Sequence, residues 1–146
     1  MLIQFKEGMF NEYQAMAKAF YTTPAVASAI DDAILLANFN RVLNDSNVLG
    51  ALVEMNNEVV GYCLVSMMYS TEIGADCAWV EELYIKPDYQ GKGYGTQALE
   101  SVLAYLRREG ISRVRLEVTP RNRGAIRLYE SLGFVMSPYQ VLNYNG

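Results

Sequence analysis

A strand that runs into a glycine-rich turn and directly on into a helix constrains this chain more than any other feature. The segment is Leu83-Tyr84-Ile85-Lys86-Pro87-Asp88-Tyr89-Gln90-Gly91-Lys92-Gly93-Tyr94-Gly95-Thr96. Pro87-Asp88 stops the strand. Ala98, Leu99, Val102, Leu103 and Leu106 then form one apolar face of a helix predicted over 96–108. Glycines accept positive φ and let backbone approach a ligand closely. The first amides of a helix lack internal partners and sit at the positive end of its dipole, which suits a phosphate. Lys92 can add a cation. The spacing is G-x-G-x-G, which is neither the dinucleotide fingerprint G-x-G-x-x-G nor the triphosphate loop G-x-x-x-x-G-K-[ST]. A tight turn with no ligand would carry the same glycines, so the segment alone leaves the ligand open.

The rest of the chain reads as an α+β order. A short edge strand is predicted at 2–6. Helical apolar spacing runs over Met9–Phe20 and again from Ala25 to Leu43, with Thr22-Thr23-Pro24 between them. The period then changes. Val48–Met55 and Val59–Met68 read as strands joined at Asn56-Asn57, the second apolar enough to be buried on both faces. A polar loop over Ser70–Asp76 leads to a strand at Ala78–Lys86. After the glycine turn and its helix, Val114, Leu116 and Val118 alternate with Arg113, Arg115 and Glu117 along a further strand. A short helix follows over Asn122–Leu132. Closing strands are expected at Phe134-Val135-Met136 and Gln140-Val141-Leu142. No repeat, linker or low-complexity segment interrupts this order, so 1–146 reads as one domain.

Composition narrows the chemistry. With no histidine, no His-based triad, Cys-His dyad or His-containing zinc site can form. Any general base is a carboxylate, Tyr, Lys, Cys or water. Cys63 and Cys77 form no C-x-x-C pair and read as structural thiols. The net charge of −4 argues against nucleic-acid binding. No apolar run reaches the ~20 residues that span a bilayer, and the start lacks a signal-peptide layout, so a cytoplasmic protein is expected. Charge is uneven: residues 1–82 carry 11 acids and 3 bases, residues 83–146 carry 5 acids and 9 bases. An anionic cofactor on the second half and a cationic acceptor on the first would fit that split.

Gln90-x-x-Gly93-x-Gly95 resembles the Q/R-x-x-G-x-G/A motif of the GNAT N-acetyltransferases. Asn122-x-x-Ala125-x-x-x-Tyr129-x-x-x-Gly133-Phe134 resembles that family's second signature. The resemblance covers roughly Val59 to Phe134. It implies the GNAT fold, a mixed central sheet of six to seven strands flanked by about four helices. It also implies acetyl-CoA as co-substrate, with no metal. The amides of Gly91, Lys92, Gly93, Tyr94, Gly95 and Thr96 would cradle the pyrophosphate, with Gln90 and Tyr84 in the same cofactor-binding segment. Leu83 and Ile85 would offer main-chain groups to the pantetheine arm, and Asn122 would bond that arm from the neighbouring element. Tyr129 would protonate the leaving thiolate as general acid. A tyrosine, with a reference pKa of ~10, holds its proton at neutral pH.

The implied reaction moves an acetyl group from acetyl-CoA to a primary amine by direct attack in a ternary complex. Three acids compete as its base. Glu117 resembles the proposed base of the ribosomal-protein N-terminal alanine acetyltransferases. Glu81 and Glu82, in Trp79-Val80-Glu81-Glu82-Leu83-Tyr84, resemble the acidic segment of the diamine and polyamine acetyltransferases. Strand alternation predicts that one of that pair faces the cleft, with Glu81 sharing a face with Leu83. The acidic first half, with Asp31, Asp32, Glu72 and Asp76, points to a small cationic amine such as a polyamine. The alternatives are a protein N-terminal amine, a non-catalytic acyl-CoA-binding module and a nucleotide-phosphate module. The expected partner is a small-molecule amine, with no nucleic acid or membrane, and a homodimer is possible.

Overall fold

The computed structural model describes residues 1–146. In chain order the elements are β1 (Leu2–Gln4), α1 (Phe10–Phe20), α2 (Asp32–Asn44), β2 (Val48–Met55), β3 (Glu58–Ser70) and β4 (Ala75–Ile85). A 3₁₀ turn (Pro87–Tyr89), α3 (Tyr94–Arg108), β5 (Arg113–Leu116) and α4 (Arg123–Ser131) follow. One sheet holds the strands in the order β1-β2-β3-β4-β5. Neighbours are antiparallel except β4 and β5, which are parallel and joined through α3, because a parallel pair needs a crossover. No helix is long and apolar enough to cross a membrane.

The two sheet faces bury different cores. On the α1–α2 face, Phe5, Tyr13, Phe20, Phe39 and Tyr62 form an aromatic cluster that also packs on Leu35. Tyr13 stacks on Phe39 at 6.1 Å and meets Tyr62 edge-on at 5.3 Å, geometries that suit ring quadrupoles. On the α3–α4 face, Leu99, Val102 and Leu106 of the predicted amphipathic helix pack on Leu49, Cys63, Val65 and Val80. Each such side chain contributes about 1.5–3 kcal/mol by leaving water. Cys63 belongs to this core, and burial pushes its thiol up to about 12. The apolar run predicted for β3 is buried on both faces over Val60–Val65, while its last residue, Met68, is exposed.

Asn56 and Asn57 take φ of 53° and 63°, the paired positive values of a two-residue hairpin turn with primed geometry. Gly61 is a requirement that composition does not reveal. A Cβ there would collide with the Tyr84 main-chain oxygen.

Two features of β4 shape the cleft. Leu64 pairs with Glu82 and Val65 pairs with Val80, so Glu81 is the extra residue of a β-bulge. The parallel pairing with β5 also ends at Val80 and Leu116. Beyond it β4 runs on to Ile85 with β3 along one edge and no strand along the other.

Several expectations are corrected. The sheet has five strands, not six to seven. Residues 134–136 and 140–142 form no strand. Val135, Leu142 and Tyr144 are exposed, because apolar alternation makes a strand only where a partner edge receives it. The helix expected from Ala25 begins at Asp32, since Pro24 and the following small residues carry an irregular segment instead. The loop expected over 70–76 shrinks to four residues between β3 and β4.

Candidate active site

A cleft of about 1020 Å³ opens where β5 leaves β4. Its walls come from the glycine turn, the free part of β4, the β5–α4 loop, α4 and the segment after α1. Leu83, Ile85, Gln90, Gly91, Gly93, Tyr94, Gly95, Thr96, Asn122, Tyr129, Glu117 and Glu81 all line it. Two of the expected residues do not. Tyr84 is buried in the aromatic core of the opposite face, and the Lys92 ammonium lies over the Tyr89 ring, 5.5 Å from its centroid.

At one end, Gly91 and Gly93 take φ of 75° and 78°, and Gly93 is the N-cap of α3. With that geometry none of the amides from Gly91 to Thr96 donates to another main-chain group. Ideal Cβ atoms at Gly91 and Gly93 would meet nothing within 4 Å, so the turn faces open space. Gly95 is different. A Cβ there would lie 3.2 Å from Leu128, which lets α3 and α4 pack closely. Gln90 braces the turn, its Nε2 donating to the Ile85 carbonyl at 2.8 Å. The donor set and the open approach fit a pyrophosphate.

The middle of the cleft is the free edge of β4. The Lys86 amide donates to Val60 on β3 at 2.8 Å. Main-chain groups alternate along a strand, so those of Leu83 and Ile85 point to the side without a strand. Across the gap, Asn122 caps α4, its Oδ1 accepting from the Ala125 amide at 3.2 Å. That bond leaves the Nδ2 group of Asn122 available. Tyr129 is half-buried and packs on Phe134 with ring centroids 5.9 Å apart. Burial raises its pKa above the usual phenol value, so it is protonated at neutral pH.

The far end holds an acid that strand alternation misjudges. The bulge turns Glu82 to the face opposite Val80. There the Tyr62 hydroxyl donates to Glu82 Oε1 at 2.6 Å and the Tyr21 hydroxyl to Oε2 at 3.2 Å. Glu82 is 7% exposed. Burial raises its pKa above the ordinary carboxylate range, while the two tyrosine bonds pull it back down. Both Glu81 and Glu82 line the cleft, so the expectation that only one would do so is corrected. Glu81 is exposed at the bulge, and Glu117 is exposed just past β5. The other acids of the first half lie elsewhere. Asp32 pairs with Lys18 at 2.9 Å, Glu72 pairs with Arg113 at 3.2 Å, and neither Asp31 nor Asp76 reaches the cleft.

Sequence reasoning missed Tyr21 and Tyr62, which lie 61 and 20 residues from Glu82. It also missed Thr119, whose hydroxyl donates to the Pro24 carbonyl at 2.9 Å and ties the β5–α4 loop to the segment after α1. No local pattern marks these residues, and only the register of β3 on β4 would have found Tyr62.

A family model described as the acetyltransferase (GNAT) family matches residues 7–134. Over 75 residues, 51% of this chain, the sequence is 39% identical to a thialysine N-ε-acetyltransferase of Mus musculus. Over 64 residues, 44% of this chain, it is 41% identical to a [ribosomal protein bS18]-alanine N-acetyltransferase of Escherichia coli K12. These matches span 44% and 43% of the relatives' own lengths, so the chain covers less than half of each. The fold is also that of the aminoglycoside N-acetyltransferase AAC(6')-Iy, solved with a CoA bisubstrate analogue, at TM-score 0.80 and 15% identity, covering 100% of this chain and 97% of that one.

Proposed function

The chain belongs to the acetyltransferase (GNAT) family, and we propose that it transfers an acetyl group from acetyl-CoA to a small cationic amine such as a polyamine. One observation carries the reading: a single cleft joins unpartnered helix-terminal amides, an unpaired strand edge and a buried carboxylate. Acetyl-CoA supplies an activated acetyl thioester that a neutral amine attacks directly.

The chain's own residues divide the remaining work. The amides of Gly91 to Thr96 hold the pyrophosphate, and the main-chain groups of Leu83 and Ile85 with the Asn122 side chain hold the extended arm. Tyr129 keeps its proton until the thiolate leaves and then donates it. Glu82, held by Tyr21 and Tyr62, attracts the ammonium form of the acceptor once it is ionised. It or a water on it takes the proton that must leave before attack. Glu81 and Glu117 are the competing bases, both on the cleft wall. The segment match to the thialysine enzyme supports a small amine. The position of Glu117 and the match to the alanine enzyme favour a second reading, in which the acceptor is a protein N-terminus.

The test is CoA release with spermidine, a neutral arylamine and an Ala-starting peptide, at low and high salt. Spermidine should have the highest kcat/KM, falling as salt screens the acidic end. A higher value for the peptide establishes the second reading, and a preference for the neutral amine overturns the electrostatic argument.

A further inference from the structure

The turn between β2 and β3 lies far in sequence from the glycine turn yet holds it in two places. The Tyr89 hydroxyl donates to Glu58 Oε2 at 2.7 Å. The Asn56 Nδ2 donates to the Tyr94 hydroxyl at 3.2 Å. Tyr89 and Tyr94 flank Gly91-Lys92-Gly93, and their ring centroids are 6.4 Å apart. Lys92 also lies over the Tyr89 ring, 5.5 Å from its centroid. We propose that Asn56 and Glu58 are positioning residues for the pyrophosphate turn, acting through Tyr94 and Tyr89.

The physical case starts from what the turn lacks. Gly91 and Gly93 have no side chains and nothing near their Cβ positions. Glycine loses more backbone freedom on ordering than any other residue. A cradle made of such residues needs an external brace if its amides are to converge on one anion before the anion arrives. The β2–β3 turn is suited to brace it. It has only two residues, both at positive φ, and it joins two strands of the central sheet, so its side chains start from a fixed frame. A phenol on a carboxylate is among the stronger side-chain hydrogen bonds. The carboxylate would repel a phosphate if it touched one. Glu58 holds the hydroxyl of Tyr89 and the Lys92 ammonium lies over its ring, so the acid grips the ring while the cation stays beside the turn. Gln90 ties the same turn to β4 through the Ile85 carbonyl, so all the braces bear on the residues flanking the glycines.

This inference rests on the acetyl-CoA reading, and the experiment separates the two. Acetyl-CoA binding to the wild type is measured directly by calorimetry, and KM and kcat are measured for wild type, Glu58→Ala, Glu58→Gln and Tyr89→Phe. Glu58→Ala and Tyr89→Phe should raise the Kd and KM for acetyl-CoA about fivefold, in keeping with one lost surface bond, with kcat and acceptor KM within twofold. Glu58→Gln keeps an acceptor oxygen for Tyr89 and should recover most of the affinity. A general structural role would instead lower thermal stability and leave the KM for acetyl-CoA unmoved. Unchanged acetyl-CoA affinity in both disrupting variants overturns the brace and leaves the cofactor site standing. A wild type that binds no acetyl-CoA overturns both.

Discussion

The Tyr62 hydroxyl donates a 2.6 Å hydrogen bond to the Glu82 carboxylate across neighbouring strands. Burial raises the pKa of Glu82 and the Tyr62 bond is the largest influence lowering it. Tyr62→Phe removes that influence, so the Glu82 pKa should rise further. If ionised Glu82 serves the acceptor, kcat/KM falls as pH drops through that pKa, and the acid limb in Tyr62→Phe should move to higher pH. A pH profile with spermidine checks this. A limb that stays in place assigns the base to Glu81 or Glu117.

The same raised pKa has a consequence for stability. Its folded value lies above the unfolded reference of ~4.3, so the contribution to stability is fully present below that reference and is lost as pH rises through the folded pKa. Glu82→Gln does not titrate. Its melting temperature relative to wild type should therefore improve as pH rises from the unfolded reference through the folded value. Melting curves across that window measure the trend, and a flat difference would show that Glu82 titrates normally.

Gly93→Asp places a carboxylate in the turn proposed to hold the pyrophosphate. Asp tolerates positive φ better than most residues, and nothing lies near the new Cβ, so the protein should stay folded. Like-charge repulsion of a few kcal/mol near a surface should weaken acetyl-CoA binding by about 10²-fold or more. Calorimetry with circular dichroism of the same sample reads both quantities, and unchanged affinity moves the cofactor elsewhere.

Tyr129→Phe keeps the ring that packs on Phe134 and removes only the hydroxyl. kcat should fall about 10²-fold, the usual scale for an acid–base group, while acetyl-CoA binding stays near wild type. Single-turnover rates isolate the chemical step, and an untouched rate makes Tyr129 a packing residue.

Gly61→Ala forces a Cβ into the Tyr84 main-chain oxygen. Overpacking against rigid backbone should cost about 2–3 kcal/mol. The urea midpoint should fall with little change in slope.

The glycine turn and the start of α3 were legible because their determinants are local. Positive φ at Gly91 and Gly93 and the open amides at the start of α3 each depend on a few consecutive residues. The amphipathic α3 and the Asn56-Asn57 turn were legible for the same reason. The acidic end of the cleft was not. Which glutamate is buried depends on the bulge at Glu81, and the bulge exists only in the register of β3 against β4. A one-residue shift of register exchanges the two faces of a strand, so alternation read from the sequence carries no information past that point. The partners of Glu82 come from α1's end and from β3, and packing of the aromatic core brings them together. The closing strands failed on the same ground, since a strand is a property of a pair. Sequence alone determined the family and the glycine turn that opens α3. The tertiary structure decided which acid is held, by which phenols, and where β4 is left open, because each of those is set by contacts between residues far apart in the chain.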